Sequence, residues 1–249
     1  MNMIEINNLS HRFSDGSMGI EKINLTIKRG DFVVIAGRNG SGKTTLLRHL
    51  NGLLHPHSGT IKIAGLAVAG NLTRIRQIVG MVFQDADSQI VGETVYDDAA
   101  FGPENLCLTH AQIKNRTLKA LGAVGLTDLA DQRPHLLSGG EKRRLAIAGI
   151  LAMNSKVLVF DEPFSNLDYP GVQHVLREIV TLHRSGHTIV LSTHDLEKVI
   201  SHADRLIIME KGKIVKNGAP ETTILEVENF GIRLPCAFRA DPGHSSWLN

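Results

Sequence analysis

Three clusters of residues in this chain have the types and spacing to handle a triphosphate. Residues Gly37-Arg38-Asn39-Gly40-Ser41-Gly42-Lys43-Thr44 fit GxxxxGK[ST]. They follow an apolar run at 32–36 and precede a helical stretch at 45–50, the strand–loop–helix setting this pattern requires. In that setting the glycines let backbone amides turn inward around phosphate oxygens. Lys43 reaches the β and γ phosphates, and the helix N-terminus adds its partial positive charge. Thr44, followed by Thr45, can hold Mg²⁺ through its hydroxyl.

The second cluster is Val157-Leu158-Val159-Phe160-Asp161-Glu162, an apolar strand ending in two carboxylates. Asp161, emerging at the strand's carboxyl end beside a phosphate loop, can hold Mg²⁺. Glu162, one residue on, is suited to polarise an attacking water as general base. The third cluster is Leu137-Ser138-Gly139-Gly140-Glu141. Ser138 and the amides of Gly139 and Gly140 open a helix running to 153, which makes a second anion site at a helix N-terminus. A single triphosphate does not need two such sites within one chain. Two chains facing each other head to tail, in an isologous pair, would use both.

The elements that must position these residues are legible as short β-branched runs at 3–8, 23–27, 32–36, 61–63, 78–83, 157–160, 188–192, 205–209 and 213–215. Several are continuous apolar strings, as expected of strands covered on both faces, and helical patterns separate many of them. The expectation is an α/β fold with a mainly parallel core sheet, to which the family resemblance given below adds an antiparallel β portion. Between 85 and 153 the pattern turns helical, with Thr109 as N-cap of a helix reaching 124, so an α-helical lobe interrupts the core. The expected divisions are a core part at 1–84, the lobe at 85–154, a second core part at 155–220, and an irregular tail at 221–249 containing Pro235, Pro242, Gly243 and Trp247.

Composition sets the outer bounds. The 249 residues, 42% hydrophobic and 21% charged, are ordinary for a globular chain, and the formal net charge is +2. No basic run points to nucleic acid, which is not an expected partner. Cys107 and Cys236 form no CxxC pair, which suits a reducing compartment. His55 and His57 sit in a Pro- and Gly-marked turn without further ligands. The apolar stretch at 145–153 is about half of what a bilayer crossing needs, so a membrane role must come through another chain.

Taken together, these residues resemble the ATP-binding cassette family of P-loop NTPases, with its RecA-like core, over roughly 3–220. The resemblance implies ATP and Mg²⁺ as ligands, ATP hydrolysis, and a dimer of cassettes. Carried over by position, Phe13 looks like the aromatic that stacks on adenine, where the family more often has Tyr. Gln84, ending Gly80-Met81-Val82-Phe83-Gln84, looks like the glutamine that touches Mg²⁺ and links the site to a membrane partner. Ser165-Asn166-Leu167-Asp168 resembles the family's D-loop, and His194 in Leu191-Ser192-Thr193-His194-Asp195 resembles the switch histidine that contacts the γ phosphate. Glu141 stands where many members have Gln, and Asn166 where Gly or Ala is commoner.

A finer resemblance lies in Gln84-Asp85-Ala86-Asp87-Ser88-Gln89, in the stretch 94–106, and in Glu141-Lys142-Arg143-Arg144-Leu145. It is similar to the ATPases of energy-coupling-factor importers for cobalt, nickel or vitamins such as biotin. The resemblance implies transmembrane transporter subunits as partners, docked near 84–106, a second ATPase subunit of the same or a related kind, and a peripheral place on the cytoplasmic side of the cell membrane. The rival class is a soluble cassette ATPase of DNA repair, chromosome maintenance or translation. Sustained heptads, CxxC modules and a second cassette are the features that would favour it, and this sequence has none of them. A non-hydrolytic nucleotide-binding regulator is disfavoured because Glu162 is intact.

Overall fold

The computed structural model describes residues 1–236 and Phe238; Pro242, Gly243 and Trp247 of the expected tail lie outside the described residues. Alternating burial along the second half of β2 (Met18–Lys28) marks a strand with one face inward, and β1 (Asn2–Arg12) lies beside it. They pair antiparallel, Ile6 opposite Leu25, and β1 extends past the run at 3–8 because pairing continues to Arg12 opposite Met18. The chain then enters a second sheet as β3 (Phe32–Ala36) and leaves through the glycine-rich loop into α1 (Lys43–Leu50). It returns to the first sheet as β4 (Ser58–Ile63) and β5 (Leu66–Ala67), then crosses by α2 (Leu72–Ile78) to β6 (Val79–Val82).

Three helices follow: α3 (Val95–Glu104), α4 (His110–Ala123) and α5 (Gly139–Ala152). Each starts with a capping box, Thr94 with Asp97, Thr109 with Gln112, and Ser138 with Glu141, which satisfies backbone amides that a helix start leaves free. The core resumes as β7 (Val157–Asp161), α6 (Tyr169–Arg184), β8 (Thr188–Thr193), β9 (Arg205–Glu210) and β10 (Lys213–Gly218).

The two sheets run β2-β1-β4-β5 and β10-β9-β3-β8-β7-β6. The first is antiparallel, and in the second only the β9–β10 pair is antiparallel. Strands β3 and β7 are buried along their whole length because both faces of this sheet are covered. Phe32, Val34, Leu158 and Phe160 pack with residues of α3, α4, α5 and α6, while Val33, Ile35, Val157 and Val159 pack with α1 and the antiparallel sheet. This α/β architecture is the one expected from the strand pattern.

After β10 the described residues as far as Ile232 pack against the core. Helix α7 (Pro220–Thr223) and the 3₁₀ turns of Ile224–Phe230 put Ile224, Val227 and Ile232 into the core on the helical side of the sheet. Lys216 Nζ pairs with Glu226 at 2.6 Å, and the Cys236 amide donates to Glu197 Oε2 at 2.8 Å. Its apolar residues Ile224, Leu225, Val227 and Phe230 fall within seven positions, too short a stretch for the periodic pattern that reads as a helix.

Candidate nucleotide site

Strands β3, β7 and β8 end side by side, so the residues that follow them meet outside one edge of the sheet. After β3 the chain turns so tightly that a Cβ on Gly37 would lie 2.4 Å from Ser41 Oγ and 2.5 Å from the Met209 carbonyl oxygen. Gly42, at φ +100°, starts α1, and a Cβ there would lie 2.8 Å from the Gly19 carbonyl oxygen. The loop is therefore closed enough that side chains at these positions would spoil it, which is what a cradle of inward amides needs. Lys43 folds back over it: its Nζ donates to the carbonyls of Gly37 at 2.7 Å and Arg38 at 3.3 Å.

Asp161, buried at the end of β7, accepts hydroxyl hydrogen bonds from Ser192 at 2.6 Å and Thr44 at 3.1 Å. A carboxylate beside a hydroxyl is the hard-oxygen donor set that Mg²⁺ takes, so these residues fit the ion. Glu162 follows at φ +47°, a left-handed backbone that a non-glycine residue adopts only under constraint. The constraint is visible: its amide donates to the Ser192 carbonyl at 3.1 Å. Glu162 Oε2 accepts a hydrogen bond from His194 Nδ1 at 2.9 Å, and Oε1 lies 3.4 Å from Lys43 Nζ with no hydrogen bond of its own. A buried carboxylate oxygen left in this way can accept from a water.

Phe13, Asn39, Gly40, Ser41, Gly42, Lys43, Thr44, Thr45, Gln84 and Glu162 line one cavity of about 450 Å³, together with Met18 and Gly19. Phe13 is 41% exposed there and meets His11 edge-on at 4.9 Å between ring centres. Gln84 stands exposed just after β6. The Arg38 side chain goes elsewhere, packing over Gly231, where a Cβ would lie 2.9 Å from its Cδ. Of Arg38 only the carbonyl, bonded to Lys43, belongs to the loop's inner side.

Ser138, Gly139, Gly140 and Glu141 line a different cavity, of about 390 Å³, shared with Asn166, Leu167 and Asp168. Within one chain they do not line the cavity that holds Lys43. The Glu141 carboxylate is engaged by its own helix start: it accepts from the Ser138 amide and hydroxyl, each at 2.8 Å. The amide bond first, and the hydroxyl bond next, hold its pKa below the usual glutamate range.

Sequence reasoning assigned no role to Ser192, which joins Asp161 to the turn at Glu162. Its signal was a hydroxyl inside an apolar strand, Thr188–Thr193, all of which is buried. It also passed over Arg143, whose buried guanidinium reaches the carbonyls of Phe83 and Gln84.

Known proteins resemble this chain in sequence and in fold. The sequence profile of the ABC transporter family matches residues 20–165. The energy-coupling factor transporter ATP-binding protein EcfA of Methanosarcina acetivorans is 44% identical, over 94% of this chain and 86% of its own. EcfA1 of Clostridium novyi is 42% identical, over 94% and 87%. Among solved structures, cbiO1 from Clostridium perfringens, described as part of the ABC transporter complex cbiONQ, superposes with a TM-score of 0.83 at 36% identity and covers 92% of each chain. A dimeric ATP-binding cassette in a post-hydrolysis state, bound to ADP and Pi, superposes with a TM-score of 0.79 at 27% identity, over 88% of this chain and 99% of that one. With its P-loop cassette fold, this chain belongs to the ABC transporter family of ATPases, among the ATP-binding proteins of energy-coupling factor transporters.

Proposed function

We propose that this chain binds Mg-ATP in the cavity between Phe13 and Glu162 and hydrolyses it to drive an importer of cobalt, nickel or a vitamin such as biotin. The observation that carries the reading is the buried carboxylate of Glu162 held between Lys43 and His194 at the mouth of the phosphate loop. The loop amides of 37–42 and the Lys43 ammonium bind the phosphates, and Phe13 stacks on the base. Mg²⁺, held by Thr44, Asp161 and Gln84, would neutralise charge on the phosphate oxygens. Glu162 takes a proton from the attacking water, and His194 orients the Glu162 carboxylate and meets the γ phosphate side. Ser192 keeps Asp161 and the Glu162 backbone in register.

Because the Ser138 cavity lies apart from the Lys43 cavity, a second copy or a related ATPase supplies Ser138, Gly139 and Gly140 to the γ phosphate across an isologous interface. Closure of that pair drives transmembrane subunits bound near 84–106, and the chain sits peripherally on the cytoplasmic side of the membrane. No helix among the described residues is long and apolar enough to cross a membrane. The test is purification from membranes with identification of co-purifying subunits, followed by uptake of cobalt, nickel and biotin in cells lacking the chain. Loss of one of these uptakes, restored by wild type but not by Glu162→Gln, is expected; unchanged uptake of all three overturns cobalt, nickel and biotin as substrates.

A further inference from the structure

Arg143, in the second turn of α5, is 4% exposed. Burying a guanidinium costs several kcal/mol unless its donors are used, and among the described residues no carboxylate lies within ion-pair distance of it. Its partners are main-chain oxygens: Nη1 donates to the Phe83 carbonyl and Nη2 to the Gln84 carbonyl at 2.7 Å, while Nε has no partner. Next to it, Lys142 Nζ pairs with Asp87 at 2.5 Å. The segment they grip is braced from within, since Gln89 Oε1 accepts the Phe83 amide at 3.1 Å and Gln89 Nε2 donates to the Met81 carbonyl at 2.9 Å. The far end of α5 is fixed as well: a Cβ on Gly80 of β6 would lie 2.6 Å from Ile150 Cβ.

We propose that Arg143 is a positioning residue that makes the Gln84 backbone and the Ser138 end of α5 one mechanical unit, so that docking of Ser138 on a partner chain's nucleotide is felt at this chain's own Gln84. Charge-assisted bonds from one planar group to two successive carbonyls fix direction as well as distance. Ser138 and Gln84 serve different nucleotides in the proposed pair, so a rigid link between them couples the two sites. This rests on the function proposed above for Ser138 and Gln84.

The test is a double-mutant cycle in the full-length chain with Arg143→Met, Arg143→Lys and Gln84→Ala, reading ATP affinity, turnover, Hill coefficient and thermal midpoint. Arg143→Met should bind ATP within about 2-fold of wild type, lose roughly 10-fold or more in turnover, and bring the Hill coefficient to about 1. Arg143→Lys, which keeps a cation able to reach a carbonyl, should recover part of both. In the Gln84→Ala background neither substitution should cost further turnover. If Arg143→Met does not fold, the lysine variant alone runs the same cycle. Additive losses at Arg143 and Gln84, or an unchanged Hill coefficient in the folded variants, overturn the proposal while leaving the Gln84 assignment standing. Wild-type turnover in Gln84→Ala removes that assignment and this proposal together.

Discussion

Lys43 Nζ and Glu162 Oε1 lie 3.4 Å apart, with both side chains almost out of solvent. In the proposed reading Lys43 binds the β and γ phosphates and Glu162 the attacking water, so this close pair joins the two halves of the proposed chemistry.

Removing one partner of this pair should hurt the fold more than removing both charges. Lys43→Met should destabilise the protein by about 1–3 kcal/mol, because a buried carboxylate is left with His194 alone. Adding Glu162→Gln should recover at least half of that loss. Urea unfolding of the two variants decides, and ATP binding should be absent from both.

Glu162→Gln alone keeps shape but removes the base. Nucleotide binding should survive while turnover falls by roughly 10² to 10⁴, about 3 to 5 kcal/mol of barrier. The stalled protein should accumulate an ATP-dependent dimer, visible by light scattering with and without Mg-ATP. Ser138→Arg added to it should abolish that dimer, since a long cation would fill the surface offered to the partner's phosphate. A wild-type rate for Glu162→Gln would refute the base assignment.

Docking of the membrane partner is better probed at Phe101 and Val91 than at the acidic pair Asp97 and Asp98. Phe101 is 54% exposed and Val91 64% exposed, so both can be reached by a partner docked on the proposed 84–106 segment. Asp97 instead closes the Thr94 capping box, and Asp98 Oδ1 accepts the amides of Val91 at 2.8 Å and Gly92 at 3.0 Å. Phe101→Asp should therefore lower membrane association at least 10-fold with an unchanged melting temperature, whereas Asp98→Lys should melt earlier. Co-sedimentation with partner-containing membranes, set beside calorimetry, separates the two effects.

Acid should weaken the fold through His49. This ring is fully buried, donates from Nδ1 to the Thr45 carbonyl at 2.7 Å, and lies 4.8 Å from the His11 ring. Burial pushes its pKa below 6.5, the Thr45 bond opposes this, and the nearby His11 adds to the lowering. With the folded value below the unfolded one, the stabilisation is whole above about pH 6.5 and is lost as pH falls below it. His202 is lowered by burial in the same way and contributes to the same limb. His49→Met should thus make the decline of urea midpoint between pH 7.5 and 5 shallower without flattening it; an unchanged slope would show that His49 is not one of its sources.

Local chemistry made much of this protein legible without coordinates. Gly37 to Thr44 could be assigned because a phosphate cradle needs glycines and a lysine at fixed offsets within a strand–loop–helix unit. The α4 start at Thr109 was readable for a similar reason, since a helix caps itself from side chains three residues apart. Asp161 and Glu162 were readable as the end of an apolar strand. What only the tertiary structure decided is how far-apart residues spend their polar atoms. Arg143 bonds carbonyls 59 and 60 residues earlier in the chain, Glu162 and Lys43 meet because β7 ends where α1 begins, and Ile224 packs an apparent tail into the core. Main-chain carbonyls are the same at every position, so no residue pattern announces which one a distant guanidinium will find. The same holds for the separation of the Ser138 and Lys43 cavities: each is built from local sequence, but the space between them is set by how the sheet and lobe pack.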